Sequence, residues 1–198
     1  MSKVIVVGGG PSGMMAALTA AKNNHEVTLI ERNDELGKKL KLTGGGRCNI
    51  TNYRYIEEFF DKVVTNKKFL YSAFYSFTNE DLLNFLSESN LEYKVEKDND
   101  YKVYTKSDKA TELIYTFKEL LLNNNIKILY NSKVTDLIIN ENNKIEGVLL
   151  ENNQKVMGDK VIISTGGHSH SKTGSDGSMQ KIIKKHGHKI STPYPALS

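Results

Sequence analysis

The stretch Gly8-Gly9-Gly10-Pro11-Ser12-Gly13 constrains this chain more than any other. Four glycines in six residues do not make the interior of a helix or strand, because glycine loses too much backbone freedom there. Just before them, Val4-Ile5-Val6-Val7 is an unbroken β-branched run, the pattern of a strand buried on both faces. Just after them, Met14 to Asn23 reads as a helix rich in Ala and Leu, with Asn24 suited to a left-handed cap. Val27 to Ile30 follows as a second apolar strand and ends at Glu31. Strand, tight turn, helix, strand is a βαβ unit, whose crossover is expected to be right-handed.

The turn matches G-x-G-x-x-G, a weak pattern alone that gains a mechanism between a buried strand and a helix. Gly8 permits the tight turn, Gly10 leaves the backbone open to a pyrophosphate, and Gly13 lets helix and strand pack closely. With Pro11 and Ser12 between them, these residues lead into a helix whose free N–H groups and positive end suit an anion. Glu31 lies 31 − 8 = 23 residues after the first glycine. A carboxylate there can accept hydrogen bonds from both ribose hydroxyls of an adenosine half and would repel a 2′-phosphate, which disfavours NADP at this site. The competing readings are a glycine turn without a ligand and a surface Glu paired with a nearby Lys.

The remaining pattern fits an α/β domain. Asp34 to Asn52 is a long Gly- and Lys-rich loop, of a length that is usually functional or disordered. Ile56 to Asn90 turns helical, with Asn79 as a cap, and Leu91 to Thr105 reads as a hairpin. A helix over Lys109–Leu122 leads to a strand at Ile126–Leu129. Val134–Ile139, Ile145–Leu150 and a weak strand around Val156 form a small antiparallel meander, with Asn142-Asn143 and Asn152-Asn153 as turn signals. Val161-Ile162-Ile163 reads as a fully buried strand running into Ser164-Thr165-Gly166-Gly167, and a last helix spans about Gly177 to His186. No repeat and no Gly-, Ser- or Pro-rich linker divides the chain.

Composition narrows the class of function. Lys plus Arg is 27 against 23 Asp plus Glu, a net charge of +4, and the lysines are spread out. The densest group, Lys181, Lys184 and Lys185, reads as a solvated helix face. Nucleic-acid binding shows instead as a clustered basic stripe, so no nucleic-acid partner is expected. The single cysteine excludes an intrachain disulfide and fits a reducing compartment. No apolar run approaches the ~18–20 residues that span a bilayer. The expectation is a cytoplasmic protein with a small-molecule substrate and no membrane partner. His168 and His170 stand without further clustered ligands, so no metal site is expected.

Two more glycine clusters separate a flavin from a nicotinamide. Thr43-Gly44-Gly45-Gly46-Arg47-Cys48-Asn49 and Ser164-Thr165-Gly166-Gly167 are unnecessary for holding NAD at the first βαβ unit. Both would help carry a backbone along an extended FAD. The alternative for the first cluster is a flexible surface loop. Cys48 has no partner cysteine for disulfide reduction, and reads as a packing residue or flavin-edge contact.

Val4 to Arg32, the run Thr43 to Asn52 and Lys172-Thr173-Gly174-Ser175-Asp176-Gly177 together resemble the HI0933-like flavoproteins. Members carry names such as NAD(P)/FAD-dependent oxidoreductase, BaiN-like reductase and aminoacetone oxidase family FAD-binding enzyme. The resemblance implies a three-layer FAD/NAD(P)-binding, Rossmann-like fold of the glutathione-reductase type, with one FAD and NAD(P)H as a candidate electron donor. By position it implies that Gly8, Gly10, Ser12 and Gly13 hold the pyrophosphate and Glu31 the ribose, with Arg32 beside it. Thr43 to Asn49 would line the middle and flavin end, Val134 would meet the adenine through its backbone, and Thr165 to Gly167 would cross near the pyrophosphate. Asn24 and Lys102-Val103-Tyr104-Thr105 depart from the family pattern.

The expected function is hydride or electron transfer at the flavin, with no residue standing out as acid, base or nucleophile. The alternatives are a non-catalytic FAD-binding fragment or pseudoenzyme, and FAD-dependent RNA modification. In the family, the Pro195-Ala196-Leu197 run lies mid-protein, which makes residues 1–198 an expected N-terminal fragment of the FAD-binding domain. Such a fragment would have one neighbouring strand missing and an open sheet edge. Alone it would bind FAD weakly, self-associate and show little reductase activity.

Overall fold

The computed structural model describes residues 1–193; the Pro195-Ala196-Leu197 run lies outside them. The elements are β1 (Lys3–Val7), α1 (Pro11–Lys22), β2 (Glu26–Ile30), β3 (Thr51–Asn52), α2 (Ile56–Asp61), α3 (Lys67–Ser76), α4 (Asn79–Glu88), β4 (Tyr93–Glu96), β5 (Lys102–Thr105), α5 (Ala110–Asn123), β6 (Lys127–Leu129), β7 (Val134–Ile139), β8 (Ile145–Leu150), β9 (Lys155–Met157), β10 (Lys160–Ile163) and α6 (Ser178–Lys185). They form two compact units. One comprises Met1–Lys39 and the described part of Leu121–Ser198, the other Leu40–Leu120. The chain passes between them at Lys39–Leu40 and again within α5.

The first unit is built on a parallel sheet of order β10-β1-β2-β6. Central β1 pairs Val4 with Val27 on one side and with Lys160 on the other. Its continuous apolar run is explained by cover on both faces. On one face Ile5, Val7 and Ile30 pack against Val134, Val148 and Leu150 of the antiparallel β7-β8-β9 meander, and against Met179 of α6. Strand alternation turns Val4, Val6 and Leu29 the other way, and α1 packs on the same strands with Met14, Ala17 and Leu18 buried. Helix, parallel sheet and meander make the three layers. The meander turns use left-handed Asn143 and Asn153 (φ 56° and 64°).

Three local expectations are corrected. Helix α1 starts at Pro11, not Met14, because proline has no N–H to lose at the first helical position. Thr78, not Asn79, caps α4: its side chain accepts from Asp81 N, while Asp81 accepts from Thr78 N at 2.8 Å. Asn79 instead ties the Asn52 and Arg54 carbonyls, at 2.8 and 2.9 Å. Strand β10 is not fully buried. It is an edge strand flanked only by β1 among the described residues, and Ile162 and Ile163 are each 37% exposed. The apolar run alone does not distinguish an edge from a centre.

The second unit holds the β3-β5-β4 antiparallel sheet, with Thr51 opposite Val103 and Tyr93 opposite Thr105. Its core includes Leu83, Leu86, Leu91, Val103, Leu113 and Phe117. The long loop is partly ordered into 3-10 turns over Leu40–Gly46. No helix of the described residues is long and apolar enough to cross a membrane.

Candidate functional site: a cleft at the carboxyl ends of the parallel strands

An open cleft of about 830 Å³, solvent included, lies within the first unit. Its floor is the turn after β1 and the start of α1, and its walls are the ends of β2 and β10, the start of β7 and the 173–179 segment. Gly8 makes the turn at φ +107° and donates its N–H to Ile30 O at 2.8 Å. A Cβ on Gly13 would lie 3.0 Å from the Gly8 carbonyl carbon and closer still to its oxygen. Only glycine lets α1 sit this near β1.

Gly10 differs. It caps α1 with φ −79° and ψ 179°, a conformation open to any residue, and a Cβ there would meet no atom within 4 Å. The protein's own packing does not demand a glycine here. What the missing side chain leaves clear is the cleft. The first turn of α1 carries no acidic residue and no side-chain cap, so no side chain of the helix itself neutralises its positive end. Beside the turn, 3.3 Å from where a Cβ on Gly13 would lie, Ser164 Oγ is buried with no hydrogen-bond partner among the described residues. Such an orphan is costly unless a ligand or water serves it. These three observations fit an anionic dinucleotide on the turn.

Glu31 is buried at the cleft wall. Its Oε2 accepts from Gly9 N at 2.7 Å, and its Oε1 from Asn33 N and Nδ2 at 2.8 and 2.7 Å. One lone pair, on Oε2, is left for a ribose. Arg32 Nη1 donates to Asp176 Oδ2 at 2.7 Å and to Gly174 O at 3.2 Å. Hydrogen bonding from Ser178, ahead of Arg32, holds the Asp176 carboxyl well below the usual range. Asn33 Nδ2 also reaches Thr173 O at 3.0 Å. The Lys172–Gly177 run is thus tied to the end of β2, and Thr173, Gly174 and Ser175 line the cleft. The sequence marks that run without assigning it to the site, and gives no signal for Lys39 or Met179.

Of the expected site residues, Gly8, Gly10, Pro11, Ser12, Glu31, Arg32, Val134, Thr165 and Gly166 line the cleft. Gly13 is packed behind them, and exposed Gly167 has nothing near its Cβ position. Thr43 to Asn49 belong to the second unit. There Gly44, Gly45 and Gly46 are all left-handed. Arg47 is engaged within its own unit, with Glu96 at 2.7 Å, Asp108 at 3.5 Å and the Tyr104 ring at 3.9 Å. Cys48 is fully buried, and burial pushes its thiol up, which is the opposite of a reactive thiolate. His168 Nε2 pairs with Gln180 Oε1 at 2.6 Å.

A glycine turn between a central parallel strand and a helix, with an acid at the end of the next strand, defines a Rossmann-type fold of the FAD/NAD(P)-binding kind. The solved structure of 3-ketosteroid-delta4-(5alpha)-dehydrogenase from Rhodococcus jostii RHA1 shares this fold, with a TM-score of 0.72 and 14% identity, over 95% of this chain and 54% of that one. The chain belongs to the HI0933-like family, whose Rossmann-domain model matches residues 2–193. It is 28% identical to 3-dehydro-bile acid delta(4,6)-reductase of Clostridium scindens, over 100% of this chain and 47% of the relative. It is 25% identical to ribosomal RNA dihydrouridine synthase of Haemophilus influenzae, over 99% and 48%. The chain spans about half the length of these curated relatives.

Proposed function

We propose that the chain carries the dinucleotide site of an FAD-dependent oxidoreductase, with the adenosine diphosphate half of FAD in the cleft. The observation that carries this is Gly10, a glycine that the fold does not need and whose absent side chain keeps the cleft clear. The Gly8–Gly13 turn and the start of α1 would hold the pyrophosphate, with Ser164 beside them. Glu31 would offer its remaining lone pair to the ribose, and Val134 its backbone to the adenine. Thr43 to Asn49 are proposed for the flavin end by family resemblance. Bound there, FAD would supply hydride or electron transfer, which is the cofactor's chemistry; NAD(P)H is the proposed donor.

The relatives' names, a delta(4,6)-reductase and a dihydrouridine synthase, support reduction of a carbon–carbon double bond as the reaction class. The preferred acceptor is a small molecule, because the lysines are dispersed. The second name favours RNA as the other reading. Titrating the protein with FAD, FMN and NADH tests the core of the proposal. Binding of FAD in preference to the other two is expected; equal or better binding of FMN or NADH defeats it. Bleaching of bound flavin by NAD(P)H, then reoxidation by a conjugated enone or by ribosomal RNA, separates the two acceptors.

A further inference from the structure

Three cationic side chains line the cleft: Arg32, Lys39 and Lys133. Two are already neutralised. Arg32 is held by Asp176 at 2.7 Å, and Lys133 by Glu151 at 2.6 Å. Lys39 has no carboxylate partner among the described residues; its Nζ donates only to the neutral Ser169 Oγ, at 3.2 Å. The same Nζ stands 3.9 Å from where a Cβ on Gly166 would be. That places it beside the Ser164–Gly166 turn, which carries the unpartnered Ser164 Oγ.

We propose that Lys39 is the cation that neutralises the dinucleotide's diphosphate in this cleft, a proposal that rests on the FAD reading above. A diphosphate diester brings two negative charges. The start of α1 offers only about half a positive charge, and the cleft's own carboxylate, Glu31, adds a negative one. A full cation is needed, and Lys39 is the one not committed to an acid. A flexible ammonium suits the role, because it can leave a hydroxyl for a phosphate oxygen without breaking an ion pair. Ser169 would serve as its resting partner.

The test compares wild type with Lys39→Gln, Lys39→Arg and Ser169→Ala. FAD binding is followed by flavin fluorescence and ADP binding by calorimetry, each at low and high salt. Lys39→Gln is expected to weaken FAD and ADP alike, by roughly ten- to hundredfold, the range for a lost charged hydrogen bond. It should also flatten the salt dependence of binding. Lys39→Arg should restore most of the affinity, and Ser169→Ala should leave it unchanged. Wild-type affinity and salt dependence in Lys39→Gln would overturn the assignment while the FAD reading stands. Equal losses in Lys39→Gln, Lys39→Arg and Ser169→Ala would show a purely structural loop effect and overturn it as well. A wild-type chain that takes no FAD overturns the FAD reading, and this assignment with it.

Discussion

Gly10→Val and Gly13→Ala, three residues apart in one turn, are expected to fail in opposite ways. At Gly10 the backbone suits valine and a Cβ meets nothing within 4 Å. The folding cost is that of a poor N-cap, about 1 kcal/mol, or ~2–4 °C in Tm for a chain of this size. The valine methyls, however, occupy the cleft. Displacing a ligand from a tightly shared space costs about 2 kcal/mol or more, roughly thirtyfold in Kd. At Gly13 the added methyl meets the Gly8 carbonyl, and Gly8 is itself fixed to Ile30 O at 2.8 Å. Relief requires moving α1 off β1. Overpacking of about 3 kcal/mol, less about 1 kcal/mol gained by alanine in a helix, leaves about 2 kcal/mol, or ~4–8 °C. Thermal melts by circular dichroism and FAD titrations on the same samples read both quantities. Full FAD affinity in a folded Gly10→Val protein would refute the site. A Gly13→Ala protein as stable as wild type would refute the packing of α1.

Glu31→Ala removes the acceptor for three N–H donors and should cost about 1–3 kcal/mol in stability, measured by urea unfolding. Asp136, bonded to Lys185 at 2.5 Å and His186 at 2.7 Å, is held down to about 2; burial opposes this, and the Lys185 and His186 hydrogen bonds outweigh it. Its contribution is therefore present above the unfolded value of ~3.9 and is lost as pH falls through about 2. Wild type should lose more stability than Asp136→Asn across that window, and parallel acid profiles would contradict the pairing. Cys48 should resist iodoacetamide in the native protein and react after unfolding, as read by mass spectrometry; rapid native labelling would show that the thiol is not buried.

The βαβ unit was legible because its signals are local: glycine spacing, a β-branched run and an acid at a fixed distance. The meander was legible for the same reason, since Asn143 and Asn153 adopt the left-handed turns that asparagine tolerates. What was hidden depends on distant partners. Nothing near Arg32 in sequence announces Asp176, 144 residues away, and nothing near Lys39 announces Ser169, 130 residues away. Edge strand β10 reads like central β1, because apolar runs do not record their neighbours. The inserted unit escaped detection because the chain enters it at Lys39–Leu40 and leaves it inside a helix, without the linker composition that marks a boundary.

Glu31 shows why a correct motif can still mislead about a residue's role. Its spacing from Gly8 suggests a carboxylate reserved for a ribose. In the structure its N–H donates to Leu129 O at 2.8 Å and its carbonyl accepts from Ser132 N at 3.0 Å, while both carboxylate oxygens hold the Gly9 turn and Asn33. Asn33 in turn accepts from Asn131 N through its carbonyl and reaches Thr173 O through its side chain. One residue and its neighbour thereby join the glycine turn, the β6–β7 connection and the 173–176 segment, which are the walls of the cleft. A buried acid in this position organises the site whether or not a ribose is present. Affinity lost on removing Glu31 therefore combines a ribose contact with the shape of the cleft. The Gly10 position meets no neighbouring atom and the Lys39 side chain makes a single hydrogen bond among the described residues, to Ser169 Oγ, so they report on the ligand more directly than the residue that the motif singles out.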